Sequence, residues 1–250
     1  MIEFKEDTIG DILDSEREMI LHGADLYGEY FINASEFSYL LNDFVKSVDF
    51  DRYLFAVFLS HLRKYNKLAL FSAVRRHHVQ MALDLRQVLE AGASAAYAIA
   101  IPNIDHFVEK DQDGILLWPK RLTKKRNIWL EKNFPAENKS IKGLKDMIND
   151  SCGHANVVYG FKTFKFDDDM KNFGTPFFDI FDETHIKSDL WLVANIAMGL
   201  MDLFYGINRS LNVIKFSDDY ASRFKILEKQ NLKLKNEMLK NPNFAEFLSR

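Results

Sequence analysis

The run from Arg75 to Ile101, RRHHVQMALDLRQVLEAGASAAYAIAI, constrains this chain more than any other part of it, because it is a helix-length segment that is apolar on nearly every side. Between Leu85 and Pro102 the only formal charges are Arg86 and Glu90, four residues apart. A helix of that kind belongs in the middle of other helices. The small residues Ala91, Gly92, Ala93, Ser94, Ala95 and Ala96 let neighbouring helices approach closely, and two charges in such surroundings need partners.

The rest of the chain supplies those neighbours. Phe occurs 22 times while there are only 5 Pro and 11 Gly, so there is much to bury and little to break helices. A mainly α-helical bundle follows. With 47% hydrophobic and 28% charged residues and a net charge of -3, the composition is that of a soluble globular chain. The reading is one helical domain over 1–250, cytoplasmic and without a membrane span, since the run from Val88 to Ile101 is too short to cross a bilayer and Leu190 to Ile207 carries Asn195 and Asp202. The single cysteine, Cys152, excludes an intrachain disulfide and a multi-cysteine zinc site, and no signal peptide opens the chain.

Periodicity predicts the helices in order. Thr8 caps a first helix whose apolar positions run from Ile9 to Tyr30, and Ser35 caps a second that ends near Val48. Asp49 or Asp51 caps a third that runs into Arg75, Arg76, His77 and His78. Unbroken to Ile101, it would extend roughly 75 Å, so a turn is expected near His77. Pro102 stops the fourth helix, and NIDHFVEKDQDG reads as a surface loop. A helix starting near Pro119 has a basic side containing Lys120, Arg121, Lys124, Lys125 and Arg126, read as a solvated face or as the seat of an anionic partner. Ser140 caps a short helix, IKGLKDMIND. FKTFKF and PFFDIFD predict a small β-hairpin insertion over 161–181. Leu190 to Leu211 is a second apolar helix, whose Asp202 can face Arg86 if both are buried. The last helix, about 218–240, carries the stripe Phe224, Leu227, Asn231, Leu234 and Met238, which either packs on its own chain or pairs with a second copy.

Several chemistries lack their signatures. There is no Gly-rich phosphate loop, GxSxG elbow or HExxH pair. Asp167, Asp168 and Asp169 are consecutive rather than alternate, unlike a calcium loop. No metal or cofactor is implied. His77 and His78 point about 100° apart on a helix, which suits a helix-end interaction better than one metal. What remains is LRQVLEAG, Leu85 to Gly92, together with NDSCGHAN, Asn149 to Asn156. His154 is suited to moving protons near neutral pH, Arg86 to steadying a phosphate, and Glu90 to orienting the guanidinium. These three groups and Asn149 can instead form a buried network that only locks helices together.

In these two segments the chain resembles the HEPN superfamily of helical-bundle proteins, over roughly Leu54 to Tyr159. The resemblance implies an α-helical bundle, a homodimer and metal-independent endoribonuclease activity in defence systems. Active members carry an arginine followed a few residues later by a histidine. Here His154 matches the histidine, but Asn149 stands at the arginine position, so the positive charge must come from Arg86 on another helix. The expected function is therefore RNA cleavage with His154, Arg86 and Glu90 as the catalytic group and Asn149, Asn156, Lys124 and Arg126 as substrate contacts. Its alternatives are a non-catalytic dimeric interaction module and a small-ligand sensor.

Overall fold

The computed structural model describes residues 3–5, 8–117, 120–152, 165–166, 172–174, 176–179 and 182–240. A short strand, β1 (Glu3–Lys5), precedes α1 (Ile9–Leu21). Thr8 caps α1 as its sequence predicts: Asp11 N donates to Thr8 Oγ1 at 3.2 Å, and Thr8 N donates back to Asp11 Oδ2 at 3.3 Å. The helix does not continue to Tyr30. It gives way to α2 (Gly23–Tyr27) and then to α3 (Glu29–Asp43), with the break at Gly28, whose φ of +54° glycine adopts without steric cost. Ser35 is consequently inside α3 rather than capping it, and Val45–Val48 is a strand, β2, instead of the end of a helix.

Next comes the α-hairpin that the length argument requires. α4 (Tyr53–Val74) and α5 (His78–Ala100) are joined by a turn in which Arg76 has φ +59° and His77 N donates to Ser72 O at 2.8 Å. No carboxylate caps α4; a 3₁₀ turn over Phe50–Arg52 leads into it. Ile101 caps α5 ahead of Pro102. The polar loop that follows contains a two-residue ladder, β3 (Glu109–Lys110) with β4 (Leu116–Leu117). Then come α6 (Lys120–Asn133) and α7 (Pro135–Cys152). Proline at the first position of α7 loses no hydrogen bond, so the helix starts at Pro135, and Ser140 is internal to it rather than its cap, with Oγ donating to Ala136 O at 3.2 Å.

A hairpin lies in the predicted region, β5 (Lys165–Phe166) antiparallel to β6 (Asn172–Gly174), with β1 added in parallel to β6, but its second strand precedes PFFDIFD, whose described residues 176–179 are not a strand. The chain closes with α8 (Glu183–Leu211), β7 (Ile214–Phe216) and α9 (Tyr220–Met238). β7 pairs antiparallel with β2, Val48 opposite Ile214. Asn208 shapes the turn between α8 and β7, accepting from Val213 N and Ile214 N at 2.9 and 2.8 Å.

α5 lies at the centre, contacting α4, α6, α7 and α8. Its small residues permit this. An added Cβ on Gly92 would sit 2.5 Å from Leu200 Cδ2 of α8, so the two helices meet where one lacks a side chain. α8 is long and apolar enough to cross a membrane, and 56% of its most apolar window is buried inside the bundle. The stripe on α9 docks on its own chain: Leu234 and Met238 are buried, and buried Asn231 accepts from Asn33 Nδ2 at 3.0 Å and donates to Asn195 Oδ1 at 3.2 Å. Trp191 Nε1 donates to the Asn231 carbonyl at 3.1 Å, which fixes the register of α9 against α8. Asp202, by contrast, is exposed and faces Tyr220, not Arg86. A carboxylate on a mostly apolar helix keeps its hydration when the helix turns that edge to solvent.

Candidate functional site

An open cleft of about 980 Å³ lies between α4, α5 and α6. Its α5 wall is the stripe Gln80, Asp84, Gln87, Glu90 and Ser94, successive positions three or four residues apart and therefore on one face, with Arg86 alongside. Across from it α4 contributes Phe58, His61, Lys64 and Tyr65, and α6 contributes Arg126.

Glu90 is fully committed at the base of this cleft. Its Oε2 accepts from Arg126 Nη2 at 2.8 Å and its Oε1 pairs with Lys145 of α7. Arg126 also donates from Nη1 to Ser94 Oγ at 2.8 Å and from Nη2 to Asn127 Oδ1 at 3.2 Å, and is only 3% exposed. This revises two expectations. Glu90 does not orient Arg86, and Arg126 is not part of a solvated basic face. A guanidinium brought in from a crossing helix, desolvated and offered further acceptors by Ser94, makes a stronger pair with Glu90 than an arginine one turn away on the same helix. Burial pushes the Glu90 carboxyl up, but the hydrogen bond from Lys145 and the charge of Arg126 more than reverse this and hold it below the ordinary glutamate value.

Arg86 is left half-buried in the cleft wall with no hydrogen bond or ion pair among the described residues. Asp84 is its opposite. It is 3% exposed, accepts from Gln80 Nε2 at 3.1 Å and Ser72 Oγ at 3.4 Å, and has no ion-pair partner among the described residues. Burial raises its pKa against those two hydrogen bonds and the charge of Arg75. A carboxyl with a raised folded-state value contributes stability that is present below the unfolded value and lost as pH rises through the folded one. Asp84→Asn is therefore expected to melt above the native protein at neutral pH, with the gain vanishing in acid. Thermal denaturation across that range checks this, and a variant that melts lower at neutral pH contradicts it.

Of the other residues singled out by sequence, Lys124 is exposed on α6. Asn149 is on α7, half-buried, and no donor among the described residues reaches its buried Oδ1. His154 and Asn156 lie outside the described residues. Among the described residues, no group of three or more His, Cys, Asp or Glu is arranged to hold a metal ion.

Sequence reasoning did not single out His61, Lys64, Asp84 or Lys145 as site residues. His61 and Tyr65 are one turn apart with ring centroids 4.5 Å from each other, and Lys64 Nζ is 5.7 Å from the Tyr65 ring. The signal in the sequence is Asp84, a third charge on the central helix, immediately before Leu85. The histidine pair at the α4–α5 turn does take a helix-end role. His78 Nδ1 lies 2.9 and 3.0 Å from the two carboxylate oxygens of buried Asp189, His78 N donates to Asp179 Oδ2 at 2.7 Å, and His77 Nε2 is 3.2 Å from Glu16 Oε1.

The site is thus a cleft lined by an arginine and a buried carboxylate that have no ion-pair partner among the described residues, by an aromatic edge, and by the Glu90–Arg126 pair that Lys145 braces from α7. Comparison of the chain with family models, curated proteins and solved structures gave no match.

Proposed function

We propose that this protein binds RNA in the cleft between α4, α5 and α6 and cleaves it without a metal, as its likeness to HEPN proteins implies. The observation that carries the reading is Arg86, a guanidinium held in a cleft wall with no hydrogen bond or ion pair among the described residues, while Glu90 on the same helix is taken by Arg126 and Lys145. An unpaired arginine of this kind suits a phosphate, which it can grip with two parallel hydrogen bonds. Lys64 on the facing wall and exposed Lys124 on α6 extend the positive charge along the path of a polyanion.

In the reaction Arg86 neutralises the charge that develops on the phosphoryl oxygens, and His154 moves the proton. Asn149 and Asn156 hold the substrate. Glu90 acts at one remove, fastening α6 and α7 to α5 so that the cleft keeps its shape.

Binding of a fluorescent single-stranded RNA at several salt concentrations tests the phosphate contact. Arg86→Gln is expected to weaken binding about tenfold and to reduce the slope of log K against log salt by about one. Unchanged affinity and slope would remove Arg86 from the interface. For catalysis, His154→Ala is expected to abolish cleavage with the melting temperature intact; cleavage that persists in a folded His154→Ala protein rejects the assignment.

A further inference from the structure

We infer that the cleft reads a guanine base, with Asp84 accepting the hydrogen bonds of the base edge and Arg86 holding the phosphate of the same nucleotide. The inference rests on the RNA-binding reading and names which nucleotide the site selects.

Asp84 carries the argument. A carboxylate offers about four acceptor positions, and the described side chains fill one on each oxygen, Gln80 on Oδ1 and Ser72 on Oδ2. The group is buried, lines the cleft and lacks a counter-ion among the described residues. A buried carboxylate in that condition costs stability unless something supplies donors. The cleft is the side from which they can come.

Guanine alone among the four bases presents two adjacent donors, N1–H and the N2 amino group, and these match the two oxygens of one carboxylate. Adenine and cytosine each set an acceptor beside their amino donor, and uracil flanks its single N–H with two carbonyls, so each would bring a lone pair against Asp84. The surroundings agree with a base in this position. His61 and Tyr65 form an aromatic edge on α4 opposite the α5 stripe, and unpaired bases seat against such rings. Arg86 and Lys64 line the same cleft, so a ligand there has to carry negative charge at one end as well as donors at the other. A guanine nucleotide carries both.

The test is calorimetric titration of the full chain with guanosine, inosine and adenosine monophosphates, then with adenosine octamers that contain or lack one internal guanosine. The guanosine nucleotide is expected to bind at least about tenfold more tightly than the adenosine one, with inosine, which lacks the amino group, between them. In Asp84→Asn, shown to be folded by its melting temperature, the ratio falls to about one, while Arg86→Gln weakens both nucleotides by the same factor. A preference seen only in the octamers assigns the site to RNA rather than to free nucleotide and supports the inference equally. Equal binding of guanosine and adenosine ligands by the native protein, or a preference that survives Asp84→Asn, overturns the inference and leaves RNA binding through Arg86 standing. Absence of binding to every nucleotide and octamer overturns both.

Discussion

Glu90→Ala is expected to lower the melting temperature by about 10 °C, taking a broken buried ion pair at about 3 kcal/mol and about 3 °C per kcal/mol for a chain of this size. The cost comes from Arg126. With the carboxylate gone, a guanidinium that is 3% exposed keeps Ser94, Asn127 and a backbone carbonyl as acceptors but has no counter-charge. The low end of the usual range applies because Glu90 itself is one-third exposed, with 33% of its side-chain surface in contact with solvent. The pH dependence has a definite sign. A carboxyl held below its ordinary value contributes stability that is present above the unfolded value and lost as pH falls through the folded one. The gap between the native protein and Glu90→Ala should therefore close in acid. Adding Arg126→Met is expected to recover part of the loss, since an apolar side chain tolerates burial where an unpaired charge does not. Scanning calorimetry of the native protein and the two variants decides the matter; a Glu90→Ala protein that melts with the native one would show that the pair contributes nothing.

Gly92→Val is the second large effect, a destabilisation of about 3 kcal/mol from overpacking in the centre of the bundle. The first added carbon already falls 2.5 and 2.6 Å from the two Leu200 methyls and 3.1 Å from Leu200 Cγ, and Leu200 is itself buried. Gly92→Ala should cost less, because alanine gains up to about 1 kcal/mol over glycine in a helix interior and only one atom must be accommodated. Truncating the partner identifies the cause. In Gly92→Val with Leu200→Ala the two losses should fall short of their sum by about 1 kcal/mol or more, measured by chemical denaturation, whereas strict additivity would mean that α5 and α8 do not meet at this residue.

Much of the fold was legible because it depends on local chemistry. Thr8 and Asp11 form their capping box within four consecutive residues, Pro102 stops α5 whatever surrounds it, and the small-residue run in α5 allows the close helix approach that is found at Gly92. The misread elements have two causes. Val45–Val48 is short and spaced like the end of a helix, and it becomes a strand only because Ile214–Phe216 arrives beside it from far along the chain. Gly28 and Pro135 mark boundaries by backbone geometry that hydrophobic periodicity does not register.

The site divides in the same way. Its sequence alone placed Arg86 and Glu90 four residues apart on a helix that is otherwise apolar and implied that a charge buried there needs a partner, because spacing on a helix and the cost of burying charge are local facts. Which residues answer was decided by the tertiary structure. Arg126 and Lys145 take Glu90, Asp84 joins the cleft from one turn earlier, and Arg86 is left open to the cleft. The physical reason is that an ion pair forms where two helices happen to cross and exclude water. The crossing of α5 with α6 and α7 is set by the packing of the whole bundle, which no stretch of sequence contains by itself.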